Sequence, residues 1–283
     1  MKPILLNLKL PDNEKISIDY YSPNFHKENA ILLILHGFKG FKNWGFFPHV
    51  SKYFRDVGYA TFTVNFSLNG VTDDIGDVFD VDKFSKNTLS RELQETDTII
   101  EWLINEQIDK LGISWNKKLF LLGHSRGGGI AAITNSRRNE VTASVHWASV
   151  GKFGRTTPRQ NERWKESGKL EIPNSRTGQM LYQNYSYYED LQENAEKLSI
   201  INAVRKTTKP MLFIHGSQDL VIKPQEVSSL PEVNTQKIVH YKEINQTGHT
   251  FSVQHPMDSI PDALNNAVEM STSFFEAPYD INK

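Results

Sequence analysis

LFLLGHSRGGGIAA, residues 119–132, runs from an apolar segment into a glycine-crowded turn and then into a helical pattern. Its centre is Gly123-His124-Ser125-Arg126-Gly127, a G-x-S-x-G pentapeptide. That pattern does mechanical work only between a buried strand and a helix. The serine then sits on a sharp turn with its Oγ clear of the sheet. The positions two before and two after it come too close together for side chains, hence glycine at both. The helix that follows presents free N–H groups and its positive dipole end. The apolar, turn and helical pieces stand here in the required order, so Ser125 is the candidate nucleophile. The plain alternative is a tight turn without chemistry.

Working outward, the same grammar repeats. Short continuous apolar runs at 30–37, 59–66, 118–125, 141–149, 209–216 and 237–244 read as strands buried on both faces. Helical periodicity lies between them at 87–111, 127–138, 189–206 and 259–276. In the first of these, Leu89, Leu93, Ile100, Leu103, Ile108 and Leu111 share one face. Alternating strands and helices predict an α/β fold with a mostly parallel sheet covered on both sides. The opening segment alternates instead, ILLNLKL then KISIDYY around PDNE, and predicts an antiparallel hairpin at the sheet edge. One domain spans 1–283. Residues 151–208 are far longer than a plain crossover needs and rich in aromatics, among them Trp164, Tyr182, Tyr185, Tyr187 and Tyr188. A small cap or lid over a site is the expectation there.

Composition excludes several classes. The 32 basic and 33 acidic side chains leave a formal charge of −1, giving no electrostatic reason to seek nucleic acid or an anionic membrane. There are no cysteines, hence no disulfide, thiolate metal site or cysteine nucleophile. No signal peptide and no membrane-spanning run is read, and a cytoplasmic location is expected.

A serine hydroxyl needs a base, and the base an orienting acid. Nine histidines are present. The base should lie on a loop past the last strand, where NQTGHTF offers His249. His255, followed by Pro256, is the second candidate. Read together as metal ligands, the two lack a third. The acid should leave the preceding strand. HGSQD presents Asp219 three residues after Gly216, although a simple turn cap is its other reading. The order serine, aspartate, histidine is the one expected of α/β-hydrolases. The oxyanion would be held by two backbone N–H groups. One is that of Arg126, and the other that of Phe38 in the loop HGFKG, where His36 supports the turn. The Arg126 side chain more readily pairs with an acid on a neighbouring loop than with a substrate carboxylate. Phe38, Phe41, Trp44, Phe46 and Phe47 are partly core. Phe41, Trp44 and, from the cap, Trp164 are the candidate substrate contacts. The acid-rich stretch 67–84 lacks the ligand spacing of a calcium loop, so no metal or other cofactor is expected.

HGFKG, GHSRGG, HGSQDLVIKP and the later GH resemble, in order and spacing, the oxyanion, nucleophile, acid and base loops of the α/β-hydrolase superfamily. The resemblance extends over essentially the whole chain. Within it the sequence looks most like small acyl esterases, the feruloyl-esterase and dienelactone-hydrolase-like group. Dienelactone hydrolases proper use a cysteine nucleophile, which this chain lacks. The resemblance implies hydrolysis of a small-molecule ester of small or medium acyl size through an acyl-enzyme. Acyl thioesterase or aminoacyl-peptidase chemistry on the same residues is the alternative. A non-catalytic binding protein would be expected to have lost one of the three.

Overall fold

The computed structural model describes residues 2–23, 28–72, 76 and 78–279. Ten strands form: β1 (Ile4–Lys9), β2 (Lys15–Tyr21), β3 (Asn29–Leu35), β4 (Tyr59–Asn65), β5 (Trp115–His124), β6 (Val141–Trp147), β7 (Lys169–Pro173), β8 (Met180–Asn184), β9 (Met211–Gly216) and β10 (Val239–Ile244). Eight of them make one sheet in the order β1-β2-β4-β3-β5-β6-β9-β10. β2 pairs antiparallel with both β1 and β4, and every pair from β4 to β10 is parallel. The hairpin and the parallel core therefore stand where the alternating and the continuous apolar patterns put them.

The helices are α1 (Phe47–Asp56), α2 (Val81–Ser85), α3 (Leu89–Trp102), α4 (Ile108–Lys110), α5 (Arg126–Arg137), α6 (Pro158–Ser167), α7 (Ser186–Glu193), α8 (Ile200–Lys206), α9 (Gln225–Ser228) and α10 (Asp262–Glu276). The pattern read as one helix over 87–111 is α3, a π turn at Leu103–Gln107 and the single turn α4. Thr88 caps its start by accepting from the Arg91 N–H.

Strand alternation sorts the core into two layers. Leu32, Ile34, Phe120 and Leu122 face α1 and α10, where they meet Phe47, Phe54, Leu264 and Phe275. Ile31, Leu33, Leu119 and Leu121 face α3, α5 and α8, where they meet Leu93, Ile100, Ile130 and Val204. Each such fully buried side chain stabilises the fold by about 1.5–3 kcal/mol. Because all five strand pairs from β4 to β10 are parallel, the C-terminal ends of β3, β5, β9 and β10 share one edge of the sheet, and the loops that leave them meet there.

Residues 151–208 hold more structure than the single helix read at 189–206. α6 opens on a capping box between Thr157 and Gln160, with Pro158 in its first turn. β7 and β8 pair antiparallel as a separate two-stranded sheet. The helical stretch itself is split by residues 194–199 into α7 and α8, because Ser199 caps α8 by accepting from the Asn202 N–H. α8 packs on α5 as part of the main helical layer. Glu226 holds the start of the rest, accepting from the Gly151 N–H and pairing with Arg155, and two further ties fasten it. The Gln179 side chain makes paired hydrogen bonds to the Phe79 backbone at 2.9 and 3.1 Å. Asp190 accepts from the Ser90 N–H at the start of α3. Within the stretch 67–84, residues 73–75 and 77 lie outside those described.

Candidate active site

The turn after β5 is as tight as the glycines require. A Cβ on Gly123 would lie 2.2 Å from the Gly127 carbonyl oxygen, and one on Gly127 would lie 2.4 Å from that of His36. Ser125 sits between them at φ 56°, ψ −119°, a left-handed conformation that an L-residue adopts only under constraint. Its N–H donates to Trp147 O at 2.8 Å, pinning the turn to the end of β6.

The loops from the other strand ends converge on this point. His249 Nε2 lies 3.0 Å from Ser125 Oγ, and His249 Nδ1 lies 2.7 Å from Asp219 Oδ2. Asp219 is buried at the end of β9 and its Oδ1 accepts from the Val221 and Ile222 N–H groups at 2.8 and 2.9 Å. His215 Nε2 stands 3.1 Å from Oδ2 and also donates to Ile222 O. Burial alone would raise the Asp219 carboxyl, but hydrogen bonds from His215, His249 and the backbone hold it well below the usual carboxylate range. An ionised Asp219 fixes the proton of His249 on Nδ1 and leaves Nε2 as the acceptor facing Ser125.

Three further histidines are buried around the site. Burial, with the nearby His249, pulls His124 down to about 3. It therefore stays neutral and donates Nε2–H to the His249 carbonyl at 2.9 Å, its ring tilted against that of His249. Burial also lowers His36 and His146 to about 4. His36 Nδ1–H donates to Gly37 O at 2.8 Å and Nε2 accepts from the Phe66 N–H, so its ring braces the loop that carries Phe38. These three groups bind protons near pH 6.5 only in the unfolded chain. Their contribution to stability is complete above that pH and falls as pH drops toward 4, by up to about 1.4 kcal/mol per pH unit for each. Urea midpoints at pH 7 and pH 5 are expected to differ, with the lower value at pH 5. Equal midpoints would contradict this.

The Phe38 and Arg126 N–H groups stand at the ends of loops that meet at Ser125. Arg126 opens α5, where no intrahelical acceptor exists for its N–H. Among the described residues no backbone acceptor is found for the Phe38 N–H either. The Arg126 side chain is buried and ion-pairs with Glu92, which lies on α3 rather than on a loop. Its guanidinium also stacks on the Phe38 ring, 4.7 Å from the centroid. Burial raises the Glu92 carboxyl in spite of this cation and of the Asn87 amide at 2.7 Å.

Two cavities open on Ser125. One of about 300 Å³ runs under the 151–208 insertion and is walled by Phe38, Val150, Phe153, Trp164, Leu191 and Ile222. The other, of about 230 Å³, lies beside His249 and is lined by Trp44, Lys39, Asn174, Ser175 and Arg176. Trp164 and Trp44 thus reach one cavity each. Phe41 does not. It is fully buried, edge-on to His255 and close under Gly76, and lines neither cavity. An aromatic cluster without periodicity gives no sign of which ring turns inward. His255, the competing base, turns away from Ser125. Its Nδ1 accepts from the Gly45 N–H at 2.9 Å and its ring stacks on Trp44. Among the described residues no group of three or more His, Asp or Glu side chains could hold a metal, and no helix is long and apolar enough to cross a membrane. Lys39, His124 and His215 join the site from within the quoted motifs, which gave them no role, Tyr187 joins from the aromatics of the insertion, and Asn174 joins from outside any motif.

Solved structures with this architecture are numerous. Est1E from Butyrivibrio proteoclasticus superposes with a TM-score of 0.66 at 17% identity, over 96% of this chain and 99% of that one. Est1E with bound ferulic acid gives 0.69 at 18% over the same shares. A soluble variant of monoglyceride lipase from Saccharomyces cerevisiae, in complex with a substrate analog, gives 0.70 at 15%, over 98% and 96%. The chain has the α/β-hydrolase fold. At these identities the likeness to the esterases and the lipase is one of fold. No protein-family model matches the sequence, and no curated protein matches it. Within the hydrolase fold the strand ends that converge on Ser125 are those of β3, β5, β9 and β10, as the spacing of the four motifs predicts.

Proposed function

We propose that the protein is a serine esterase that hydrolyses small carboxylic esters through an acyl-enzyme. The observation that carries this reading is the run of contacts from Asp219 Oδ2 to His249 Nδ1 at 2.7 Å and from His249 Nε2 to Ser125 Oγ at 3.0 Å, on a strained turn. In this mechanism Ser125 Oγ attacks the ester carbonyl as His249 Nε2 takes its proton. Asp219 holds the imidazole and stabilises its charged form. The Phe38 and Arg126 N–H groups stabilise the oxyanion, an interaction that strengthens only as the carbonyl becomes tetrahedral. His249 returns the proton to the alkoxide, and a water activated by His249 then releases the acid. The apolar cavity under the insertion takes the acyl group, so the insertion acts as a cap over the acyl side. The cavity beside His249 takes the alcohol, because the proton donor must stand next to the leaving oxygen.

A fluorophosphonate tests the reading directly. Such a reagent is expected to abolish hydrolysis of a short p-nitrophenyl ester and to add one phosphonyl group at Ser125, read by peptide mass spectrometry. Labelling elsewhere with activity lost, or full activity after labelling at Ser125, would refute it.

A further inference from the structure

We propose that the cavity beside His249 binds an anionic group, carboxylate or phosphate, carried by the leaving alcohol. This rests on the esterase reading for the identity of the leaving group. It rests on the chemistry of the cavity for the charge.

The two cavities differ in kind. The acyl side is walled mostly by aliphatic and aromatic side chains, and its two arginines, Arg126 and Arg155, are ion-paired with Glu92 and Glu226. The other side is lined by Lys39, Asn174, Ser175 and Arg176, and among the described residues none of its lining is an acid. The Lys39 amine is half buried and makes one hydrogen bond, to Pro173 O at 3.3 Å. Among the described residues no carboxylate pairs with it. Burial, and then the charge of Arg176, disfavour its protonated form. Asn174 is 5% exposed, and its Nδ2 has no hydrogen-bond partner. A buried donor left unmade costs about 1–3 kcal/mol, and native structures rarely tolerate one without a purpose.

These groups come from different elements. Lys39 follows Phe38 in the loop after β3 and is held at φ 56°, while Asn174 begins the β7–β8 turn, far along the chain. Both line a cavity that also contains Ser125 and His249. One anionic group would accept from the Asn174 amide and the Lys39 ammonium together. A neutral alcohol would leave the Lys39 charge unmatched. Charge-assisted hydrogen bonds are about twice as strong as neutral ones, so the difference should be visible in rates.

The test compares three butyryl esters by butyrate release: those of glycolate, of glycolamide as its neutral isostere, and of 2-hydroxyethyl phosphate. At least one anionic ester is expected to exceed the glycolamide ester in kcat/KM by about tenfold. The preference should shrink as salt is added. The ratio, whatever the absolute rate, should fall to near one in Lys39→Met and be restored in Lys39→Arg. The ranking of the two anionic esters separates carboxylate from phosphate. Ratios within twofold of one in the wild type overturn the proposal while leaving the esterase reading intact. A second arm needs no turnover and no Lys39 variant. Calorimetry on the Ser125→Ala protein should show glycolate or 2-hydroxyethyl phosphate binding more tightly than glycolamide. Equal or absent binding overturns the proposal. Hydrolysis of none of the three esters by the wild type removes the esterase reading, and the calorimetric arm then decides the anion site alone.

Discussion

Ser125→Ala is expected to lower turnover of a short p-nitrophenyl ester by roughly 10⁴-fold or more. The substitution removes the atom that His249 Nε2 faces at 3.0 Å, so neither half of the acyl transfer can proceed. The residual rate would come from the Phe38 and Arg126 N–H groups and from the apolar cavity, which still bind and polarise the ester. The fold should barely notice. Alanine accepts the φ of 56° no worse than serine does, and the Ser125 N–H keeps its bond to Trp147 O at 2.8 Å. A thermal midpoint within a few degrees of wild type, together with the lost turnover, separates a chemical role from a structural one. Undiminished hydrolysis in a folded Ser125→Ala protein would remove the serine mechanism altogether.

Why this site could be read from sequence while its surroundings could not follows from where the signals lie. Ser125, Asp219 and His249 each sit a fixed short distance past an apolar run or a glycine. β3, β5 and β9 are buried on both faces, so their runs are unbroken and their ends are sharp. The insertion sends weaker signals. β7 alternates between exposed and half-buried positions, and α6 buries only Trp164, so neither shows a continuous apolar run. The capping box from Thr157 to Gln160, with Pro158 inside it, was a local sign of α6 that strand and helix periodicity do not weigh. The split at 194–199 was signalled only by the capping serine, Ser199. Lys39 lies in the HGFKG motif, but its meeting with Asn174 has no local signal, since it exists only once the β7–β8 turn has folded over the loop after β3. The same holds for Arg126 and Glu92. Their pairing across α5 and α3 depends on two helices packing on one face of the sheet.

Asp219→Asn should cost nearly as much as the loss of the nucleophile, about 10³–10⁴-fold in kcat, and for a different reason. The two N–H groups of Val221 and Ile222 bind Oδ1 at 2.8 and 2.9 Å, so an asparagine would keep its carbonyl oxygen there. Its NH₂ would then replace Oδ2, opposite His249 Nδ1 at 2.7 Å and His215 Nε2 at 3.1 Å. A donor facing a donor is relieved when His249 moves its proton to Nε2, where it points at Ser125 and can no longer accept. The base is lost with its position unchanged. Stability should move with pH in a defined sense. The Asp219 carboxyl is held below its ordinary value in the folded protein, so its stabilising effect is present above about pH 3.8 and disappears as pH falls through the depressed value. The Asn variant should therefore be less stable than wild type near pH 7, with the gap closing in strong acid. Phosphonate labelling supplies the decisive comparison. Slow but site-specific labelling of Ser125 in Asp219→Asn is expected, because the nucleophile remains and only its base is disabled. Labelling at the wild-type rate would show that Asp219 does no more than cap the turn at Val221 and Ile222.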